Sequence, residues 1–331
     1  MSMESKQIAL VLGATGGIGG AVAQVLASRG WHVRALSRNA NAGRGDSAFE
    51  WLRGDAMRAA DILAAAEGAD IIVHAVNPPG YRDWETLVLP MLDNTIAAAK
   101  AVSASVVLPG TIYNFGPDAF PLLREESPQH PVTKKGAIRV EMEKRLAAAS
   151  RDGVGVIIVR AGDYFGPGAG NNWFAQGMIK KGQPVKTIWN PAARGVGHQW
   201  AYLPDVAETM VRLVEMREEL PAFAVYHMDG FWDGDGRQMA EAIRRVAGRD
   251  AKIRSFPWWV VPIAAPFNRF MREVLEMRYL WREPLRMTNA RLVATLGSEP
   301  HTPIDQAVLV SLTSLGCVGQ AQQRSLSAKP A

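Results

Sequence analysis

Five apolar residues, Ile8 to Leu12, pass directly into Gly13-Ala14-Thr15-Gly16-Gly17-Ile18-Gly19. A run of five suits a buried strand and is too short for a helix that must overcome its nucleation cost. From Ile18 the apolar period changes. Ile18, Val22, Val25 and Leu26 fall on one helical face, and Gly30 stands where a C-terminal cap belongs. Strand, glycine turn and helix together describe a phosphate cradle. Gly13 allows the tight turn, Gly16 lets the backbone approach a pyrophosphate, and Gly19 lets the helix pack close to the strand. The first N–H groups of the helix and its positive dipole end then face the anion. A plain βα turn without a nucleotide could use the same glycines, but their place between a strand and a helix favours the cradle.

The chain has 331 residues, enough for one large domain or two of ordinary size. Hydrophobic content of 48% and charged content of 21% fit a soluble globular protein with a sizeable core. The net charge of +5 is spread among acids without a like-charge block, so no nucleic-acid partner is implied. The single cysteine, Cys317, excludes an internal disulfide and any multi-cysteine metal site, and fits a reducing cytoplasm. Lys6 precedes an apolar run as in a signal peptide, but Glu4 and the glycines read better as strand plus helix. No stretch reaches the roughly 18 uninterrupted apolar residues of a transmembrane helix, so membrane insertion is not expected. Residues 1–6 and 319–331 are polar and expected to fray.

Trp31 to Leu36 reads as a second strand, ending in Ser37-Arg38-Asn39. Where an NAD-selective fold carries an acid for the ribose 2′-hydroxyl, no Asp or Glu occurs between Trp31 and Gly45, and Arg38 stands in its place. A guanidinium there suits a 2′-phosphate, which favours NADP over NAD; the alternative is a solvated loop cation. Arg34 and Arg44 could share that phosphate or sit on the surface. Phe49 to Leu52 is a short third strand before Gly54-Asp55-Ala56, and Ala59 to Glu67 suits a helix. Asp70 to Ala75 is a buried fourth strand, broken at Asn77-Pro78-Pro79-Gly80. A helical pattern from Trp84 to Val102 leads to a fifth strand, Ser105 to Leu108. Alternating βα units with continuous apolar strands specify an α/β fold, a doubly wound parallel Rossmann sheet with ligands at the carboxyl ends of its strands.

The motifs GATGGIG at 13–19, GDA at 54–56, HAVNPP at 74–79 and RAGDYFGPG at 160–168 resemble the extended short-chain dehydrogenase/reductase family, to which nucleotide-sugar epimerases and dehydratases belong. HQWAYLPDVAE at 198–208 and TLGSEPHTPIDQAV at 295–308 extend the resemblance over residues 7 to 317. It implies that Asp55 and Ala56 contact the adenine, that Ala75, Val76 and Asn77 line the ribose, and that residues near Asp163 flank the nicotinamide. It is almost silent on substrate.

The family's catalytic pattern is Tyr-x-x-x-Lys at the start of the helix after the fifth strand, with a Ser or Thr upstream. There tyrosine handles the carbonyl proton, while lysine lowers the tyrosine pKa and holds the ribose. PVTKKGAIRVEMEKRL at 131–146 aligns with that helix, with Glu143 as the register mark. Lys135 then stands where Tyr is expected and Arg139 where Lys is expected. Pro109 holds the usual Ser position, with Thr111 two residues on. The chain thus resembles an atypical member with altered proton chemistry. Tyr113 and Tyr164, each in a loop at the carboxyl end of a strand, are candidate replacements that could equally be aromatics of structural turns. Lys135 is a second candidate, since a partly buried ammonium beside Arg139 could act as the acid. Thr111 could bond a substrate carbonyl. His198 reads as a structural polar residue that could also reach the cleft.

Val154 to Val159 is a sixth strand, and the turn ending Gly166-Pro167-Gly168 is where the family leaves its nucleotide domain. Residues 7–168 therefore form the dinucleotide-binding domain, completed by later segments, and 169–318 form mainly a smaller C-terminal substrate-binding lobe and lid. In that half Asn172 to Lys181 reads as helix, Asp205 to Glu219 as an amphipathic helix opened by Pro204, and Ala224 to Met228 as another sheet strand. Phe256 to Trp281 is divided by Pro257, Pro262 and Pro266, with a helix starting near Pro266. It reads as a lid packed on the lobe. If Trp258, Trp259 and Trp281 face the cleft, they favour a flat or apolar substrate. The leading function is NADP-dependent oxidoreduction of a carbonyl or alcohol of a small-molecule substrate, in a protein compatible with a homodimer. An NAD-dependent epimerase or dehydratase and a non-catalytic NADP-sensing protein are the alternatives.

Overall fold

Seven parallel strands carry the glycine turn at their centre. The computed structural model describes residues 6–39, 48–78, 83–170 and 172–318. Arg44, Pro79-Gly80, residues 1–5 and the tail 319–331 lie outside them. The main-sheet strands are β1 (Ile8–Leu12), β2 (His32–Ser37), β3 (Glu50–Arg53), β4 (Ile71–His74), β5 (Ser105–Gly110), β6 (Val156–Arg160) and β7 (Phe223–His227). Their spatial order is β7-β6-β5-β4-β1-β2-β3. β1 pairs in parallel with both β2 and β4, so the chain reverses its winding beside β1. That reversal opens the crevice at the carboxyl ends of β1 and β4, where a doubly wound sheet takes its ligand.

The continuous apolar strands are explained by burial on both faces. Successive side chains point to opposite sides of a strand. Ala9, Val11, Val73 and Val107 join one core layer, under α1 (Gly17–Ser28), while Leu10, Leu12, Ile72 and Val106 join the other. The second layer lies under α2 (Ala59–Ala65), α3 (Trp84–Val102) and α4 (Lys134–Arg151). The first is closed by α5 (Leu203–Glu215), which packs on α1. β7, from the second half of the chain, completes the sheet beside β6.

A separate core holds the remaining segments together. Phe165, Phe174, Trp200, Trp281 and residues of α6 (Gln238–Ala247) bury against Ala307, Val308 and Leu312. Strand Asp163–Phe165 pairs with His198–Tyr202 in a small three-stranded sheet, which ties the exit from β6 to this lobe. A smaller cluster joins Ile112 and Phe115, just past β5, to Met277, Leu280, Leu285 and Met287.

Three expectations in the second half are corrected. Residues 260–264 form a short helix, α7 (Val260–Ala264), that runs through Pro262. A proline in the first turn is tolerated because that N–H has no intrahelical acceptor. The next helix, α8 (Arg269–Glu276), starts at Arg269 and not near Pro266, because the Asn268 side chain accepts from the Met271 N–H and fixes the N-terminus there. Within 172–181 the helix is short, a single π turn at Phe174–Met178 entered through Trp173.

Candidate active site

At the end of β1, Gly13 adopts φ +93°. A Cβ there would meet the Ala75 carbonyl oxygen at 2.5 Å and Val76 N at 2.8 Å, so the turn is pressed against the segment leaving β4. Gly16 donates to the Gly13 carbonyl at 2.9 Å and opens α1. A Cβ on Gly16 would meet only the Gly13 carbonyl oxygen, at 3.3 Å, which leaves its outer side open. On Gly19 it would collide with the same carbonyl. The first helical bond is Gly20 N–H to the Gly16 carbonyl, so Gly17, Ile18 and Gly19 present N–H groups without intrahelical acceptors, and no acid stands in the first turn. With Ala14 and Thr15 in the turn, these features fit the pyrophosphate of a dinucleotide.

The flanks of the cradle are held by their own bonds. The Asp55 carboxylate accepts from the Met57 N–H at 3.0 Å, and the Ala56 carbonyl accepts from the Asn94 amide at 3.0 Å. Ala75 N–H continues the ladder to the Leu12 carbonyl, and Val76 and Asn77 follow at the mouth of the crevice. Ser37 ends β2 and accepts from the Asn39 N–H at 3.2 Å; Arg38 is exposed between them. Arg34 is different. It pairs with Glu50 at 3.3 Å and donates to the Ala65 carbonyl at 3.2 Å, which ties it to the end of α2.

Thr133 caps α4 by accepting from the Gly136 N–H at 3.0 Å. Lys135, in the first turn, is buried, and its Nζ lies 2.6 Å from Glu276 Oε2. The ammonium is therefore held by a lobe carboxylate and does not face Arg139 alone, as the sequence had suggested. The Arg139 guanidinium sits 5.2 Å from the Trp84 ring centroid. It also acts on His74 and Tyr164. Burial first and the Arg139 charge second push His74 down to about 3, while its Nδ1 lies 2.8 Å from Thr95 Oγ1. Burial pushes Tyr164 up, opposed by Arg139. The Tyr164 hydroxyl donates to the Gly110 carbonyl at 3.2 Å, a structural bond at the end of β5. Thr111 Oγ1 accepts from the Tyr113 N–H at 3.3 Å, a local turn that places both residues just past β5.

Asp163 and His198 meet in the lobe. His198 Nε2 lies 2.8 Å from Asp163 Oδ2, and its Nδ1 lies 3.2 Å from the Leu280 carbonyl oxygen. The Trp281 indole stacks on the His198 ring at 3.7 Å between centroids. Trp281 is thus core, Trp258 packs on Trp173 and donates to the Pro191 carbonyl, and Trp259 is 72% exposed. The three tryptophans do not share a wall, so they do not line a cleft for a flat or apolar substrate.

Two partners were beyond sequence reasoning. Glu276 stands in an ordinary amphipathic stretch, with its partner Lys135 141 positions away. Arg160 is buried and donates through Nε to Glu143 Oε1 at 3.0 Å, with His227 Nε2 2.9 Å from its Nη1. Burial and then Arg160 push His227 down to about 3. Glu143 served as a register mark in the sequence, and a carboxylate at a helix position facing the sheet was the one signal of a buried cation.

A model of the NAD dependent epimerase/dehydratase family matches residues 9–228. A 3-diazoavenalumate denitrifying reductase from a Streptomyces species is 28% identical over 177 residues, which is 49% of this chain and 57% of that protein. The chain thus matches little more than half the length of that relative. The L-threonine dehydrogenase of Clostridium difficile superposes with a TM-score of 0.75 at 19% identity, covering 95% of this chain and 99% of that one. A UDP-glucuronic acid 4-epimerase variant from Bacillus cereus, solved with NAD and a fluorinated UDP-sugar, gives 0.71 at 14% identity over 93% and 99%. At such identities the two structures share the fold.

Proposed function

The chain belongs to the NAD dependent epimerase/dehydratase family, and on that premise we propose that it is an NADP-dependent oxidoreductase acting on a carbonyl or alcohol of a small organic substrate. The nicotinamide, when bound, supplies the hydride chemistry. The protein holds it through Gly13 to Gly19, Asp55, Ala56 and Ala75 to Asn77, and Arg38 receives the 2′-phosphate. The reductase name of the Streptomyces relative supports net oxidoreduction.

The observation that carries the reading is Lys135. It occupies the address the family gives its tyrosine, almost wholly buried, with its charge held in place by Glu276. A fixed cation there stabilises negative charge that develops on a substrate oxygen. Arg139, four residues on along the same helix, keeps a positive charge where the family places lysine. Asp163 supports the site from the lobe through His198.

Purified protein tests this directly. Net NADPH consumption with an aldehyde and ketone panel is the expected result, with NADH much poorer. Cofactor that stays bound without net consumption would replace the reading by epimerisation or dehydration. Binding with no turnover of any kind would replace it by cofactor sensing. Arg38→Asp should reverse the preference between NADP and NAD; an unchanged NADP affinity would remove Arg38 as the phosphate ligand.

A further inference from the structure

The hydroxyl of Tyr279 is buried and, among the described residues, has no hydrogen-bond partner. A buried polar group without a partner destabilises a fold, so one that is retained needs a reason. Three contacts hold the segment that carries it. Residues 277–281 form a 3₁₀ turn begun by Glu276, in which positions three apart eclipse, so Glu276 and Tyr279 share one face. Glu276 on that face grips Lys135 in the first turn of α4. The Tyr279 ring stacks on Phe120, in the segment that follows β5, at 6.3 Å between centroids and 6° between planes. One residue further, the Leu280 carbonyl is fixed by His198, which also holds Asp163.

Tyr279 thus lies on the segment that grips the first turn of α4 and stacks on the one that follows β5, next to the position where the family has its tyrosine. We propose that Tyr279, reaching in from the lobe, is the catalytic proton donor that replaces the tyrosine missing at position 135. The inference rests on the oxidoreductase reading above. In the reducing direction the hydride would come from bound NADPH, whose nicotinamide C–H bond would break to leave NADP⁺. A C–H bond forms at the carbonyl carbon, the C=O π pair becomes an oxygen lone pair, and that oxygen takes the Tyr279 proton. The Lys135 ammonium, held by Glu276, stabilises the tyrosinate charge, and a solvent proton restores the phenol after product leaves. In the free protein burial, with the charges of Asp163 and then Glu276, holds the phenol in its protonated form. A cation arriving beside it favours ionisation.

Tyr279→Phe removes one oxygen and tests the assignment. The variant should melt at or above the wild-type temperature and bind NADP⁺ with wild-type affinity, while turnover on the aldehyde panel falls by about 10²-fold or more. An ultraviolet difference titration of wild type against Tyr279→Phe should show one tyrosine whose ionisation moves to lower pH when NADP⁺ is added. The charged groups around it are Asp163 with His198 and Glu276 with Lys135, all unchanged in the variant. Wild-type turnover in Tyr279→Phe, a titration unmoved by NADP⁺, or a variant that fails to fold would each overturn the proposal. A wild type that binds NADP⁺ and reduces no carbonyl sinks the oxidoreductase reading, while the titration still decides where the hydroxyl faces.

Discussion

Lys135 Nζ lies 2.6 Å from Glu276 Oε2, joining the first turn of α4 to the last residue of α8. The lysine side chain is 4% exposed and the carboxylate 24%, so the pair is poorly screened and each group depends on the other. It is also a bond between the nucleotide fold and the lobe.

Lys135→Ala should lower the rate at saturating substrate by about 10²-fold. It leaves Glu276 without its cation, so stability should fall by about 1–2 kcal/mol, reduced from the fully buried case by the exposure of Glu276. Lys135→Ala combined with Glu276→Ala should recover much of that stability and none of the rate. Urea melts and steady-state kinetics on the three proteins check this; an undiminished rate in Lys135→Ala would remove the lysine from the chemistry.

Gly16→Ala should fold and bind cofactor badly. The added Cβ meets only the Gly13 carbonyl oxygen at 3.3 Å, a contact a small shift relieves, but it projects into the open side of the turn. A rise of tenfold or more in the cofactor Kd corresponds to about 1.4 kcal/mol or more. Calorimetric titration giving the wild-type Kd would show that the pyrophosphate does not approach this residue.

Glu143→Gln should destabilise strongly. It keeps the shape but leaves the Arg160 charge buried without its carboxylate, a loss of about 3–5 kcal/mol. Denaturant melts measure it, and a loss below about 1 kcal/mol would mean that solvent or the Glu125 carbonyl takes over the guanidinium.

Stability should fall with acid. His74 and His227 are both held down to about 3, so below pH 6.5 the unfolded chain binds protons that the folded one refuses. Stability is then full above the unfolded value of about 6.5 and declines as pH falls from there toward about 3. At pH 5 each histidine should cost about 2 kcal/mol relative to pH 7.5. Melts of wild type and His227→Gln at the two pH values check the slope; a variant as acid-sensitive as wild type would exclude His227 as a source.

The sequence by itself determined the sheet and the cradle. Ile8 to Gly19, the helical span Trp84 to Val102 and the apolar runs of β4 to β6 carry their structure in patterns a few residues long, because strand alternation, helical period and glycine conformation are local physics. That Lys135 and Glu143 share one helix was legible for the same reason. Among the described residues no helix is long and apolar enough to cross a membrane. Tertiary structure alone decided the partners. Glu276 meets Lys135, His198 bridges Asp163 and Leu280, and Trp281 goes into the lobe core and not the cleft. Those contacts join segments tens to more than a hundred residues apart, and which polar groups meet is set by how the lobe packs over the sheet. A charge or an indole in sequence carries no record of that.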